Sequence, residues 1–447
     1  MTRSGPPPWT LNGGRAAPMD ARVKVCLATI GSDGDVQPYL ALARGLIARG
    51  HDVHLAAVKR YAARAAAVGV PFVPVCPGWD DRVMEARFAA VLAEKNPMRQ
   101  LTRVTEATSG ELAAMVPELR DIVSDHDVLV SHPLQLAAVA GARVTGKPYV
   151  AVHLTNTARS RNLNPMGSDL GRVLNALLWS AARWMARRAT DRPLNQTIQV
   201  AGLAPWRDVF FESSHSGLLD LLAVSPLVIP RDPLWPDTYV GTGYWFLDEP
   251  SFEPDPDLAA FVAAEPPVVV TFGSMAGVDA RVHTDKLVDG LRRLGRPAVL
   301  QAGWANLGEG PLPDHVRRVG FVPHGWLFSR AACVVHHGGA GTSAAALRAG
   351  VPQVVVWHMS DQPTWGTLMK RLGVAPAARS HQALEGRWLA RTVKGVLANE
   401  TMRRRASELG AAVRQEDGVG TAVRLFEGVT RGSGETYRQD PATALRA

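Results

Sequence analysis

The residues best placed to do chemistry lie in Val334-Val335-His336-His337-Gly338-Gly339-Ala340-Gly341-Thr342-Ser343, where a short apolar strand runs into a glycine-rich turn and an alanine-rich helix. Such a turn makes an anion site. Glycines let the main chain approach a diphosphate closely, the N–H groups of the first helical turn point at it, and the helix dipole favours its charge. His337 adds a side-chain donor for the same oxygens. The glycines alone fit a plain strand-to-helix turn as well; the paired histidines and the later Asp361-Gln362 favour the anion site.

Asp361 and Gln362 follow a second apolar strand, Val351–Trp357, and suit sugar hydroxyls. A carboxylate accepts from two neighbouring hydroxyls, while an amide both donates and accepts. Asp361 ahead of Pro363 also fits the start of a helix. Near the amino terminus the loop Gly31-Ser32-Asp33-Gly34-Asp35-Val36-Gln37-Pro38 places Asp35 at the carboxyl end of a strand, where it could act as a general base or cap the helix beginning near Val36. Asp33-Gly34-Asp35 matches a DxD metal pattern, but Asp125-His126-Asp127 and Asp255-Pro256-Asp257 match it equally well. GxGxxG is absent from this loop. No metal and no cofactor is expected.

These loops need strands and helices to hold them, and the chain supplies both in alternation. Apolar runs at Val23–Ile30, Val53–Val58, Val70–Cys76, Val128–Ser131, Tyr149–His153 and Leu221–Ile229 are separated by helical stretches. A second series runs Val268–Phe272, Ala298–Gln301, Val316–Val322, Cys333–His336 and Gln353–Trp357. Alternation of this kind predicts α/β architecture, two doubly wound parallel-sheet domains with ligands in the cleft at the strands' carboxyl ends. The expected division is a flexible leader at 1–20, an amino-terminal domain at 21–230, a Pro- and Asp-rich linker at 231–265, a carboxyl-terminal domain at 266–430 whose last helix returns to the first domain, and a tail at 431–447.

A chain of 447 residues with 46% hydrophobic and 20% charged residues is neither disordered nor fibrous. Three cysteines, Cys26, Cys76 and Cys333, are too few and scattered for a disulfide framework or a CxxC metal site. The net charge of +8 comes from interspersed residues rather than a basic tract, so nucleotide phosphate or lipid headgroup is a better partner than nucleic acid. No run of 18 apolar residues and no secretory signal is present, which predicts a soluble cytoplasmic protein.

Three segments, GSDGDVQPYLALARGLIARGHDV at 31–53, PHGWLFSRAACVVHHGGAGTSAAALRAGVP at 323–352 and DQPTWG at 361–366, resemble the inverting GT-B glycosyltransferases that use nucleotide-diphosphate sugars. The sterol glucosyltransferases and the bacterial glycosyltransferases of glycopeptide and polyketide antibiotics are the branches most alike. The likeness covers both domains and weakens between about 80 and 125 and between 155 and 265. It implies a donor nucleotide in the carboxyl-terminal domain and an acceptor in the amino-terminal one. By resemblance, Asp35 matches the acidic general base, His337 the diphosphate-contacting histidine, and Gly339, Ala340, Gly341 and Thr342 the loop around the diphosphate. Ser274 matches a serine reaching the phosphates, while Trp304 and Val322 resemble positions beside the nucleoside and its base. Asp361 and Gln362 match the pair that holds the transferred sugar, with Gln typical of glucose donors. Eukaryotic sterol enzymes carry large membrane-targeting domains ahead of this core, so membrane recruitment is not carried over with the resemblance.

The implied activity is transfer of a hexose, glucose first, from a UDP- or TDP-sugar to a hydroxyl of a hydrophobic molecule such as a sterol or polyketide, with inversion and without metal. The abundance of Arg over Lys and of Ala suggests a GC-rich bacterial source, where a thymidine-linked deoxysugar is the alternative donor. A nucleotide-sugar 2-epimerase and a non-catalytic nucleotide-sugar binder are the competing readings on the same fold. His132 and His153, at strand ends, could tune Asp35 or be structural. Segment 169–190 sets Leu170, Val173, Leu174, Leu177, Leu178, Ala181 and Trp184 near one helical face. That face could line an acceptor mouth, rest on a membrane as a peripheral contact or, the commoner case, face the core. The Trp-rich stretch with Trp179, Trp184, Trp206, Trp235 and Trp245 is compatible with a flat apolar acceptor. The sequence leaves the oligomeric state open.

Overall fold

The apolar runs between helical stretches become strands of one of two sheets, and every strand pair within them is parallel; the run Leu221–Ile229 is the exception, since its strand is Leu219–Leu222 and residues 223–229 form turns. The computed structural model describes residues 22–75, 91, 94, 97–212, 215–248, 252–272, 280–303, 308 and 310–431. The first sheet contains β1 (Lys24–Ala28), β2 (Asp52–Val58), β3 (Phe72–Val75), β4 (Val128–Ser131), β5 (Tyr149–His153), β6 (Leu219–Leu222) and β7 (Tyr239–Gly241), in the order β3-β2-β1-β4-β5-β6-β7. The second contains β8 (Val268–Thr271), β9 (Ala298–Gln301), β10 (Val316–Val319), β11 (Cys333–His336), β12 (Gln353–Trp357) and β13 (Arg379–Ser380), in the order β10-β9-β8-β11-β12-β13.

Both sheets reverse direction of winding once, between β1 and β4 and between β8 and β11. Loops leaving neighbouring strands there go to opposite faces of the sheet and open a crevice at its carboxyl edge. The strands are apolar on both faces because each face is covered. Val25 and Leu27 pack with Tyr39, Leu40 and Phe426, while the alternate residues Cys26 and Ala28 pack with Leu119, Leu136 and Val139.

The helix Gly418–Thr430 lies on the first domain, where Ala422, Val423 and Phe426 join its core. Gly45 permits the approach, since a Cβ there would stand 2.6 Å from Val419. Arg49 clamps the same helix through two 2.9 Å bonds to the buried carboxylate of Glu427. A further core spans the domains, joining Leu163, Leu222 and Val224 to Leu347, Trp365 and Leu409. Across the same junction Arg348 pairs with Asp248 at 2.6 Å, and Arg371 donates to the Val228 carbonyl at 2.6 Å.

Two expectations are corrected. The stretch 231–265 is not simply a linker: Tyr239–Gly241 is the seventh strand of the first sheet, and Pro256–Ala264 is a helix packed on the second domain's core. A strand of three residues is too short to announce itself by alternation. The helix Arg172–Val200 does not turn the Leu170–Trp184 stripe to the core. Its buried side carries Asn175, Trp179, Ala186, Ala189 and Thr190, whereas Leu170, Val173, Leu174, Leu177 and Trp184 face solvent. Among the described residues no helix is long and apolar enough to cross a membrane.

Candidate functional site

The two winding reversals face one another across a cleft of about 1960 Å³. Its walls include the loops after β1, β4 and β5 from the first domain and those after β11 and β12 from the second. Asp35, His132, His153, His337, Gly339, Ala340, Gly341, Thr342, Asp361 and Gln362 all line it. Gly34 and Gly341, 307 positions apart in the chain, come into near contact: a Cβ at Gly341 would stand 3.9 Å from the Cα of Gly34.

Asp35 sits in the first turn of the helix Asp33–Ala48, whose N-cap is Ser32. Its Oδ2 accepts the Ser32 N–H at 2.7 Å and the Ser32 hydroxyl at 3.0 Å. A cap role and a place in the cleft are therefore both present, and they use the carboxylate's two oxygens unequally. Burial pushes the acid up to about 6; the two Ser32 bonds oppose that shift, and the negative charges of Asp361 and Asp33 add to it. Neither His132 nor His153 is among the groups that set this value.

His132 is half-buried and accepts the Leu134 N–H at Nδ1, 3.1 Å, which leaves its proton on Nε2. His153 is buried, with Nδ1 2.9 Å from the Thr157 hydroxyl. Burial holds them down to about 4 and about 3, so both are neutral at ordinary pH. They are cleft-wall groups and not partners of Asp35.

The turn after β11 is built by His336 as much as by glycine. His336 is fully buried; Nδ1 accepts the Gly338 N–H at 3.0 Å and Nε2–H donates to Gln353 Oε1 at 2.9 Å. Gln353 in turn donates to the Ser343 carbonyl at 3.2 Å, tying the turn to the helix Ala340–Ala349. The paired histidines thus divide the work: His336 holds the turn, and His337 reaches the cleft. Burial and the neighbouring His336 and His324 push His337 down to about 3, so it is a neutral donor. Among the described residues its buried Nδ1 has no hydrogen-bond partner.

Gly338 has φ of +87°, and a Cβ there would meet Val355 Cγ1 at 2.7 Å and the Gln362 carbonyl at 2.9 Å. Gly338→Ala is expected to destabilise the fold by about 1–3 kcal/mol from backbone strain alone. A thermal melt of the variant beside wild type measures it.

Asp361 accepts the indole N–H of the fully buried Trp365 at 2.8 Å, which fixes its carboxylate. Burial raises this acid as well, against the Trp365 bond. The preceding Ser360 has φ of +57°, a strained value for a residue other than glycine, held within the loop. Gln362 is less versatile than the sequence suggests. Its Oε1 already accepts the N–H groups of His358 at 2.7 Å and Met359 at 3.0 Å, so that oxygen is committed within the loop.

Val322 has its side chain in the core and its carbonyl bonded to Gln301 Nε2 at 3.0 Å, so it can address a ligand only through its main chain. Phe321 and Pro323 on either side line the cleft. Ser274 and Trp304 lie outside the described residues. Of the five tryptophans singled out, only Trp245 reaches the cleft wall. The amino-domain end of the cleft is instead made apolar by Leu101, Val104, Leu112, Met185, Phe210 and Phe211. Ser32, His336, Gln353 and Trp365 were not assigned these roles from the sequence. The spacing of Ser32 and Asp35 is that of a capping box and carried the first of them; the others depend on distant partners.

Residues 25–154 match the glycosyltransferase family 28 N-terminal domain, and residues 299–417 match the erythromycin biosynthesis protein CIII-like C-terminal domain. The chain is 33% identical over 429 residues to the O-mycaminosyltylonolide 6-deoxyallosyltransferase of Streptomyces fradiae, covering 91% of this chain and 97% of that one. It is 30% identical over 427 residues to the sterol 3-beta-glucosyltransferase of Emericella nidulans, covering 90% of this chain and spanning 30% of that longer protein. In structure it is similar to the Streptomyces sp. SF2575 glycosyltransferase SsfS6, solved with thymidine diphosphate, with a TM-score of 0.62 at 20% identity over 91% of this chain and 99% of that one.

Proposed function

The chain belongs to the GT-B glycosyltransferases that use nucleotide-diphosphate sugars, and from that premise we propose that it moves a hexose, glucose first, from a UDP- or TDP-sugar to a hydroxyl of a hydrophobic molecule such as a sterol or polyketide aglycone, with inversion and without metal. The observation that carries this reading is the meeting of three groups in one cleft. A half-buried, weakly acidic Asp35 stands on one wall, the His337–Thr342 turn on the other, and Asp361 beside it. The apolar end of the cleft in the amino-terminal domain supports a hydrophobic acceptor, and a deoxyallosyl- and a glucosyltransferase among the relatives support a hexose. No observation favours an epimerase or a non-catalytic binder.

In the proposed mechanism the Asp35 carboxylate takes the proton of the acceptor hydroxyl. The oxygen bonds to the anomeric carbon as the bond from that carbon to the diphosphate oxygen breaks on the opposite face. The departing charge is met by main-chain N–H groups at Gly339–Thr342, by the dipole of the helix Ala340–Ala349 and by neutral His337. Asp361, held by Trp365, accepts from the sugar hydroxyls, and Gln362 lines the cleft beside it. Donors positioned in this way neutralise the leaving group without requiring a divalent ion.

The test is mass-spectrometric: protein in EDTA with UDP-glucose and TDP-glucose in parallel, against pooled sterols, polyketide aglycones and phenols. A hexose added to an acceptor is the expected product; no product from either donor in any pool would overturn the reading. Because Asp35 must be ionised to accept a proton and burial lifts it to about 6, kcat/KM is expected to fall with unit slope as pH drops below about 6. A pH profile that is flat from 5 to 8 would remove Asp35 from the base's role.

A further inference from the structure

The long helix Arg172–Val200 carries two apolar sides, and only one of them is used by the fold. Opposite the buried Asn175, Trp179 and Ala186, the residues Val173, Leu174, Leu177 and Trp184 recur at helical spacing and are 76%, 46%, 60% and 56% exposed. Leu170 and Met166, just ahead of the helix, are exposed as well. Such a contiguous apolar surface is uncommon on a protein that meets only water.

Its setting is cationic. Arg188 and Arg192 continue the stripe at its carboxyl end, Arg172 and Arg187 flank it, and all four are exposed. Arg188 lies 4.4 Å above the ring of Trp184, which places a guanidinium and an amphipathic indole together at the edge of the patch. Two acids lie nearby: Asp169 accepts the Gly171 N–H at 2.9 Å and the Asn175 amide at 3.0 Å, and Asp191 accepts the Asp208 and Val209 N–H groups, each at 2.9 Å, and pairs with Arg187 at 3.8 Å, so four arginines stand against two carboxylates. The surface therefore pairs apolar bulk with net positive charge, as a helix lying in the headgroup region of a bilayer does. It is also continuous with the cleft, because the exposed Met185, one residue past Trp184, lines the cleft's apolar end.

We propose that this face docks on an anionic lipid bilayer and sets the acceptor end of the cleft against the membrane surface. The docking stands on the patch alone; that it admits a hydrophobic acceptor from the bilayer rests on the reaction proposed above. Leu174, Leu177 and Trp184 do not line the cleft, so changing them tests the surface and leaves the site untouched.

The experiment is flotation of the full chain with vesicles of phosphatidylcholine alone and of phosphatidylcholine mixed with phosphatidylglycerol. The wild type is expected to float with the mixed vesicles and to stay in solution with phosphatidylcholine alone. Leu174→Glu with Leu177→Glu is expected to weaken that binding at least about tenfold, because two leucines no longer enter the bilayer. Arg187→Glu with Arg188→Glu is expected to weaken it at least about tenfold through charge. UDP or TDP binding serves as the control for folding and should be equal in all three proteins. Wild type that stays in solution with both vesicles, or leucine variants that float as well as wild type, would overturn the proposal. So would a dimer in sedimentation equilibrium that the leucine variants dissolve, because the patch would then be covered by a second copy. Flotation without any sugar transfer would leave the docking intact and count against the reaction.

Discussion

Asp35→Asn is expected to lower kcat by about 10²–10⁴-fold while leaving the affinity for UDP or TDP within a few-fold of wild type. The amide keeps the shape of the side chain and can still accept from Ser32, whose N–H lies 2.7 Å from Oδ2, so the loop is preserved. What it loses is the capacity to take a proton. The sign of the stability effect separates this from unfolding. The folded protein holds Asp35 up to about 6, above its ordinary value, so the stability it contributes is present when the acid is protonated and is lost as pH rises through about 6. Above that pH the wild type carries a partly desolvated charge that the asparagine lacks. The variant should therefore melt no lower than wild type at pH 7.5, and single-turnover rates beside nucleotide titration then read catalysis alone. Turnover within tenfold of wild type would mean that another group takes the proton.

His337→Ala is expected to reduce kcat by about 10²–10³-fold, the loss that follows removal of one preorganised donor to developing charge. His337 is neutral, pushed down to about 3 by burial and two neighbouring histidines, so it acts through an N–H and not through a positive charge. That has a testable corollary. The loss should be nearly independent of pH between 6 and 8, since no histidine charge disappears over that range. The fold is expected to survive because the turn is tied by His336 to Gly338 and Gln353 and not by His337. His336→Ala is the contrasting variant: it strips the Gly338 N–H and Gln353 of their partner inside the core and should destabilise the domain as well as the site.

Much of the site was legible in the sequence because its parts are local. A strand, a glycine turn and a helix are consecutive residues, so His337 and Gly339–Thr342 had to come together wherever the domain went. Asp35 and Asp361-Gln362 each sit one turn past a recognisable strand. The alternation of apolar runs and helical stretches likewise pointed to two parallel sheets, because parallel strands are usually joined by helical crossovers; the parallel pair β6–β7, joined without a helix, escaped that pattern.

The tertiary structure decided what depends on neighbours far along the chain. Helical spacing is identical for a stripe that faces a core and one that faces outward, so only the packing of Trp179 and Ala186 could show that Leu174 and Leu177 point away. The three-residue strand Tyr239–Gly241 becomes a strand by pairing with β6 and is invisible without it. Gln362 loses its acceptor to His358 and Met359, which no spacing rule reveals. The acidity of Asp35 follows the same logic: residue type fixes a carboxylate, but its rise to about 6 comes from enclosure in the cleft and from the charge of Asp361 on the other domain. Which groups share the cleft was a matter of local pattern; how basic, how buried and how committed each one is comes from the closing of one domain on the other.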